Sequence, residues 1–229
     1  MARRRLFSGP ADRRIKAALC IVAHPDDIDF FCAGTVILMA GRGVSVDFVL
    51  ATSGDKGTRE AAISGAELAA RREREQLASA RLLGAGRVEF LGRRDAELVE
   101  SLELRGELVR EIRRSRPDVI LTFDPTPGYR QHPDHRVVGR VALDAAWPCA
   151  RDPLSFPEAG PPHEAAEAWL FGSPPAASPP DLMVDVRDAL ELKIAARLEH
   201  ASQTYSPARL RARWRRTAAE ERFVQVDLR

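Results

Sequence analysis

The first continuous apolar run of the chain, Ala17-Ala18-Leu19-Cys20-Ile21-Val22-Ala23, reads as a strand buried on both faces. Residues 31–42 carry a helical pattern that stops at Gly41 and Gly43, and residues 44–50 alternate before turning apolar, as a second strand does. Residues 52–58 are a loop on composition. A long charged helix is expected over 65–83, ended by Gly84 and Gly86, then a short strand at 88–91. An amphipathic helix over 97–115 ends before Pro117, and a further strand covers 118–123. After Trp147 the pattern weakens. Residues 148–163 and 172–181 are Pro-rich loops, strands are expected at 168–171 and 182–186, and 188–202 reads as a helix.

Strands alternating with helices predict an α/β domain, a parallel sheet covered on both faces. In such sheets sites form outside the carboxyl ends of strands, near a change in strand order. Two loops, 24–27 and 124–135, lie at such ends. A length of 229 residues with 45% hydrophobic positions suits one large domain over 17–229, preceded by an extension at 1–16. Within that domain, 148–181 is expected to form variable Pro-rich loops. The net charge of +2 is too balanced to argue for nucleic acid. The basic amino terminus lacks a long apolar stretch, and no segment approaches the length of a membrane span. Three widely spaced cysteines suggest a reducing compartment, so a cytoplasmic location is expected. Homo-oligomerisation is compatible with the sequence and not specified by it.

Packing gives no reason for His24, Asp26 and Asp27 to follow a buried strand. A second cluster, Gln131-His132-Pro133-Asp134-His135, follows the strand at 118–123. Imidazole and carboxylate are the donors that catalytic zinc accepts, commonly three from the protein with a position left for water. Adjacent carboxylates can divide the work, one binding metal and the other accepting a proton from water. A second imidazole can stabilise a developing oxyanion or protonate a leaving amine.

The segments AHPDDIDFFCAGT, TSGDKGT, FLGRRDAEL, RPDVILTFDP and QHPDHR occur in the order seen in LmbE-like proteins. The chain thus resembles the LmbE/PIG-L family of zinc-dependent N-acetylglucosaminyl deacetylases, strongly over 17–147 and weakly through 184–203. The resemblance implies a Rossmann-like three-layer fold with a mostly parallel sheet. It implies Zn2+, or another divalent metal, held by His24, Asp27 and His135. Asp26 is then the general base and His132 the stabiliser or acid at the tetrahedral intermediate. Asp134 is a candidate for orienting a neighbouring histidine. Many members carry Glu after the Asp pair, where Ile28 and Asp29 stand here. The implied reaction is hydrolysis of the acetamide of a small N-acetylated amino sugar or its conjugate. Two readings compete: a related metal-dependent amide or ester hydrolase, and a non-catalytic sugar-binding protein.

Arg59 and Arg130 lie in or beside the site loops and are candidates for binding a substrate carboxylate or phosphate. His163 is expected on the surface, and His200 either at the pocket or on a helix surface. Asp55 and Asp124 are expected to form turns, and the basic run Arg209–Arg216 to be a solvated helix face. Substrate choice is expected in loops 52–65, 124–131 and 148–181.

Overall fold

The computed structural model describes residues 4–5, 15–60, 62–126, 131–172 and 180–229. The strands are β1 (Arg4–Arg5), β2 (Ala17–Val22), β3 (Ser45–Thr52), β4 (Val88–Arg93), β5 (Val119–Phe123), β6 (Glu167–Phe171), β7 (Leu182–Asp185) and β8 (Glu220–Asp227). The helices are α1 (Asp27–Phe31), α2 (Ala33–Ala40), α3 (Gly65–Leu83), α4 (Leu102–Ser115), α5 (Pro133–Asp144), α6 (Leu190–Glu199) and α7 (Pro207–Thr217). No helix among the described residues is long and apolar enough to cross a membrane.

The strands join one sheet in the order β1-β7-β8-β6-β5-β2-β3-β4. All neighbours are parallel except β8, which runs antiparallel to both β6 and β7. The expected α/β class with a mostly parallel sheet is therefore what the chain forms. Leu19 to Val22 are buried, as a strand flanked by β3 and β5 and covered on both faces requires. Helices α1, α2, α3 and α6 pack together on one side of the sheet, and α4 and α5 pair on the other. Within the segment read as an extension, Arg4–Arg5 pairs with Leu182–Met183.

The chain leaves β2 toward β3 and β4, then crosses to β5 on the other side of β2. The carboxyl ends of β2 and β5 therefore flank the point where the strand order reverses, and a crevice opens there. Gly139 lets α5 come close to this point. A Cβ at position 139 would overlap the Phe123 carbonyl oxygen and stand 3.0 Å from its carbonyl carbon.

The loop 148–163 takes a different place from the one expected of a substrate loop. It packs at the amino end of β5, where His163 Nε2 lies 2.8 Å from the Pro117 carbonyl, so it is at the opposite end of the sheet from the crevice. Buried Arg113 of α4 organises it by donating to the carbonyls of Cys149, Ala150, Asp152, Ser155, Phe156 and Gly160. Of the region 148–181, the crevice receives Phe171 and Gly172 among the described residues.

Candidate metal centre

His24 lies two residues beyond the end of β2 and Asp27 opens α1, and the turn between them is closed by the His24 N–H donating to Asp27 Oδ2 at 2.7 Å. Asp26, at the apex, has φ 89° and ψ −14°, in the left-handed region. Aspartate enters that region more readily than most residues, and such conformations cluster at functional sites. The turn is held from outside: the Asp26 N–H donates to Gln76 Oε1 at 3.0 Å, and Arg72 Nη2 donates to the Pro25 carbonyl at 2.7 Å.

The second cluster arrives on α5. Pro133 occupies the first turn, where its missing N–H costs nothing, and His132 is the N-cap, its Nδ1 accepting from the Asp134 N–H at 3.2 Å. His135 stacks on Phe123 at the end of β5, with ring centroids 3.8 Å apart. Its Nε2 stands 3.3 Å from His24 Nδ1 and 3.1 Å from Asp27 Oδ1, and His24 Nδ1 is 3.5 Å from Asp27 Oδ2. The two oxygens of Asp27 thus each face one ring, and separations of this length are those between donor atoms held about 2.0 Å from a shared metal, the length of a metal–imidazole bond. His24, Asp27 and His135 could therefore hold a divalent metal. His132 stands beside them, its ring centroid 4.7 Å from that of His24.

The other nitrogen of His24 is occupied. Nε2 lies 3.1 Å from both Asp95 Oδ1 and Asp134 Oδ2. An N–H there fixes the tautomer that leaves the Nδ1 lone pair facing His135 and Asp27. Asp134 is itself held by the N–H groups of Ala96 and Leu98, at 2.7 and 3.3 Å.

The electrostatics favour a cation. Burial opposes charge on His24, yet Asp134, Asp27 and Asp95 outweigh it and leave the imidazole pushed up to about 12. Burial also opposes charge on Asp27, and the His135 and His24 rings hold it well below the usual carboxylate range regardless. Asp26 goes the other way. Burial, then the Asp27 charge, push it up to about 6, against Arg72 and Arg197. Those guanidiniums bracket its carboxylate, Arg72 Nη2 at 3.5 Å from Oδ1 and Arg197 Nη2 at 3.4 Å from Oδ2. Burial, followed by the neighbouring His24 and His135 charges, keeps His132 below its ordinary value.

His24, Asp26, Asp27, His132 and His135 all line one cavity of about 360 Å³, together with Arg72, Asp95 and Gly57. Arg59 stands apart, its guanidinium 5.0 Å from the centroid of the Tyr205 ring and outside that lining. Arg130 lies outside the described residues. His200 is neither at the pocket nor on a helix surface. It is fully buried, with Nε2 2.9 Å from Asp29 Oδ2, and so ties the end of α6 to α1. Asp124 forms the expected turn with Thr126, whereas Asp55 Oδ1 accepts from the Asp95 N–H at 2.8 Å.

Sequence reasoning missed Arg72, Gln76, Arg197 and Asp95. For the α3 pair a signal existed: Leu68, Arg72, Gln76, Ala80 and Leu83 share the buried face of the helix, so two polar side chains fill core positions. On α6, Lys193 and Arg197 do the same.

The GlcNAc-PI de-N-acetylase (PIG-L) family matches residues 19–146, more than half of the chain. A diacetylchitobiose deacetylase of Thermococcus kodakarensis is 35% identical over 198 residues, 82% of this chain and 70% of the relative. A probable N-acetyl-alpha-D-glucosaminyl L-malate deacetylase of Bacillus anthracis is 30% identical, over 81% of this chain and 80% of its own length. Among solved structures, an N,N'-diacetylchitobiose deacetylase from Pyrococcus horikoshii superposes with a TM-score of 0.85 at 31% identity, covering 94% of this chain and 85% of that one. The chain belongs to the PIG-L family of de-N-acetylases.

Proposed function

We propose that the protein is a zinc-dependent N-deacetylase that hydrolyses the acetamide of a small N-acetylated amino sugar to acetate and a free amine. The observation that carries this reading is the His24–Asp27–His135 triangle, with Asp26 and His132 opening onto the same cavity. Two imidazoles and one carboxylate form a donor set that catalytic zinc uses. Zinc bound there supplies a Lewis acid for the acetamide oxygen and lowers the pKa of water.

The remaining steps fall to side chains. Asp26 takes the proton from the water that adds to the acetamide carbon, then returns it to the nitrogen as the C–N bond breaks. Arg72 and Arg197 aim its carboxylate, and the left-handed backbone at Asp26 turns it toward the cavity. Because His132 Nδ1 accepts the Asp134 N–H, neutral His132 carries its proton on Nε2. That N–H donates to the oxygen that gains charge. A binding protein would have no use for a carboxylate 13% exposed and bracketed by two guanidiniums. A reducing, cytoplasmic setting fits three cysteines that are all unpaired.

The test is acetate release from a panel of N-acetylated sugars, with metal content measured on the same samples. Near-stoichiometric zinc and turnover are expected. Asp26→Asn should keep the metal and lose about 10²–10⁴-fold in kcat. Full activity of Asp26→Asn on a verified substrate would remove Asp26 as the base.

A further inference from the structure

Helix α6 is capped by His200, which opens a tight turn over Ala201–Gln203. The turn is seated on two other helices. Asp29 of α1 accepts from Ser79 Oγ of α3 through Oδ1 at 2.7 Å, and its Oδ2 faces His200 Nε2 at 2.9 Å. A carboxylate only accepts, so Nε2 carries the proton. Further along, the Ser202 N–H and hydroxyl donate to Glu75 of α3 at 2.8 and 2.6 Å. A seat that only filled space would be apolar. Burying an imidazole against a carboxylate costs desolvation, and His200 Nδ1 has no partner among the described residues. What the pair adds is direction.

The seated turn holds Arg197. Nη1 donates to the Thr204 hydroxyl at 2.8 Å and the His200 carbonyl at 3.4 Å, and Nη2 to the Gln203 carbonyl at 3.1 Å. The Thr204 hydroxyl donates in turn to the His200 carbonyl at 2.9 Å. Nη2 also reaches Asp26 Oδ2, at 3.4 Å. The Phe30 ring covers the guanidinium, its centroid 4.4 Å away, and stands between the metal cavity and a second cleft of about 740 Å³ walled by Trp214, Glu220 and Glu221. Arg72, the other guanidinium at Asp26, is fixed differently. It donates to the carbonyls of Pro25, Gly54 and Lys56, which belong to the site loops themselves.

Resting on the deacetylase reading, we infer that His200 is a positioning residue for the reaction, acting through Arg197 on the Asp26 carboxylate. His200 is outside the lining of the metal cavity, so it acts at one remove. The Arg197–Asp26 separation of 3.4 Å exceeds the about 2.7–2.9 Å of a charge-assisted hydrogen bond. That pairing is too loose to fix the guanidinium, whereas the 2.8 and 3.1 Å contacts to the turn do fix it. A planar guanidinium tied along one side presents its remaining N–H in one direction. His200 sets the turn, the turn sets Arg197, and Arg197 sets the aim of Asp26. This support comes entirely from residues beyond the family match at 19–146. Without His200 the turn slackens, and the Asp26 carboxylate is left with Arg72.

Acetate release from the N-acetylated sugar panel is measured for the zinc-loaded parent, His200→Ala, His200→Gln, Arg197→Met and the double variant His200→Ala/Arg197→Met. His200→Ala should lose about tenfold in kcat, with KM and zinc content within about twofold of the parent. His200→Gln, whose amide nitrogen donates to Asp29, should recover to within about threefold of the parent. Arg197→Met should lose about as much as His200→Ala, and the double variant no more than Arg197→Met. An unchanged kcat in either single variant, no recovery in His200→Gln, or losses that multiply in the double variant overturn the inference. If His200→Ala does not fold, Thr204→Val, which keeps the shape and removes the hydroxyl, should lose kcat in the same way and only while Arg197 is present; full activity of Thr204→Val then rejects the inference. A second arm reads Arg197 without turnover, by nitrogen-15 NMR of the arginine side chains. A guanidinium held in place gives separate Nη1 and Nη2 signals. Those of Arg197, identified by their loss in Arg197→Met, should be separate in the parent and His200→Gln and merged in His200→Ala or Thr204→Val. If no sugar releases acetate from the parent, the deacetylase reading fails, while merged signals still support the link from His200 to Arg197 and signals that stay separate reject it.

Discussion

Gly139→Ala tests whether the approach of α5 to β5 sets the metal centre. The added methyl would meet backbone, the Phe123 carbonyl, rather than a side chain able to turn away. Its 3.0 Å separation from the carbonyl carbon must open to an ordinary carbon–carbon contact of about 3.5–4.0 Å. The helix therefore withdraws by about 0.5–1 Å. That helix carries His135, while His24 and Asp27 ride on the end of β2 and the start of α1. A withdrawal of that size stretches the 3.1 and 3.3 Å edges of the triangle and leaves the third edge untouched. Overpacking alone costs about 1–3 kcal/mol, or a fall of roughly 3–10 °C in Tm for a domain of this size. Activity should fall further, about 10²-fold, since displacement of reacting groups by about 1 Å has that effect. The assay pairs thermal unfolding of chelated protein with metal titration and acetate release. A variant that unfolds at the parent's temperature, or that loses stability yet binds metal with unchanged affinity, refutes the argument that this contact positions His135.

Three further outcomes follow from contacts at and away from the site. His24→Ala and His135→Ala should each lose bound metal, and chelation of the parent should stop acetate release until zinc is restored, with metal analysis as the check. Asp134→Asn weakens the partner that fixes the His24 tautomer and should reduce metal affinity about 10–100-fold, measured by competition with a chromophoric chelator. Arg113→Met strands carbonyls over 149–160 and should lower stability by about 2–4 kcal/mol. Because that loop lies at the far end of the sheet, kcat of the folded variant should match the parent, and a large kcat loss at full folding would contradict the placement.

The parts of the site legible in sequence were those written contiguously. His24-Pro25-Asp26-Asp27 and His132 to His135 each follow a strand whose apolar run is unmistakable, so strand, end and donor set could be read together. Helix α5 was harder, because its opening turn is made of the site residues themselves and resembles a loop. Strand β8, EERFVQVD, hides among charged positions because only alternate residues such as Glu221 and Phe223 face inward. Asp95 carries no local mark in a chain with 35 basic and 33 acidic residues, and the only mark of Arg72 and Arg197 is their place on the apolar stripes of α3 and α6. What separates them from solvated charges is the packing of α3 against α6, which brings two distant helices around one turn. The Pro-rich composition of 148–163 correctly signalled irregular backbone, but composition does not encode which end of the sheet a loop covers.

The position of β8 has a consequence for how the molecule comes into being. Among the described residues β7, with the short β1 on its outer edge, joins the other strands of the sheet through β8, which also delivers Glu221 to the N–H groups of Gly34 and Thr35 at the start of α2. During vectorial synthesis the earlier strands can assemble around β2, but the edge of β7 away from β1 stays unpaired until residues 220–227 emerge. The same late strand neutralises Lys193 and walls the cleft beside Phe30. Chemistry-bearing turns thus belong to the earlier part of this sequence, while the enclosing wall is fitted after them.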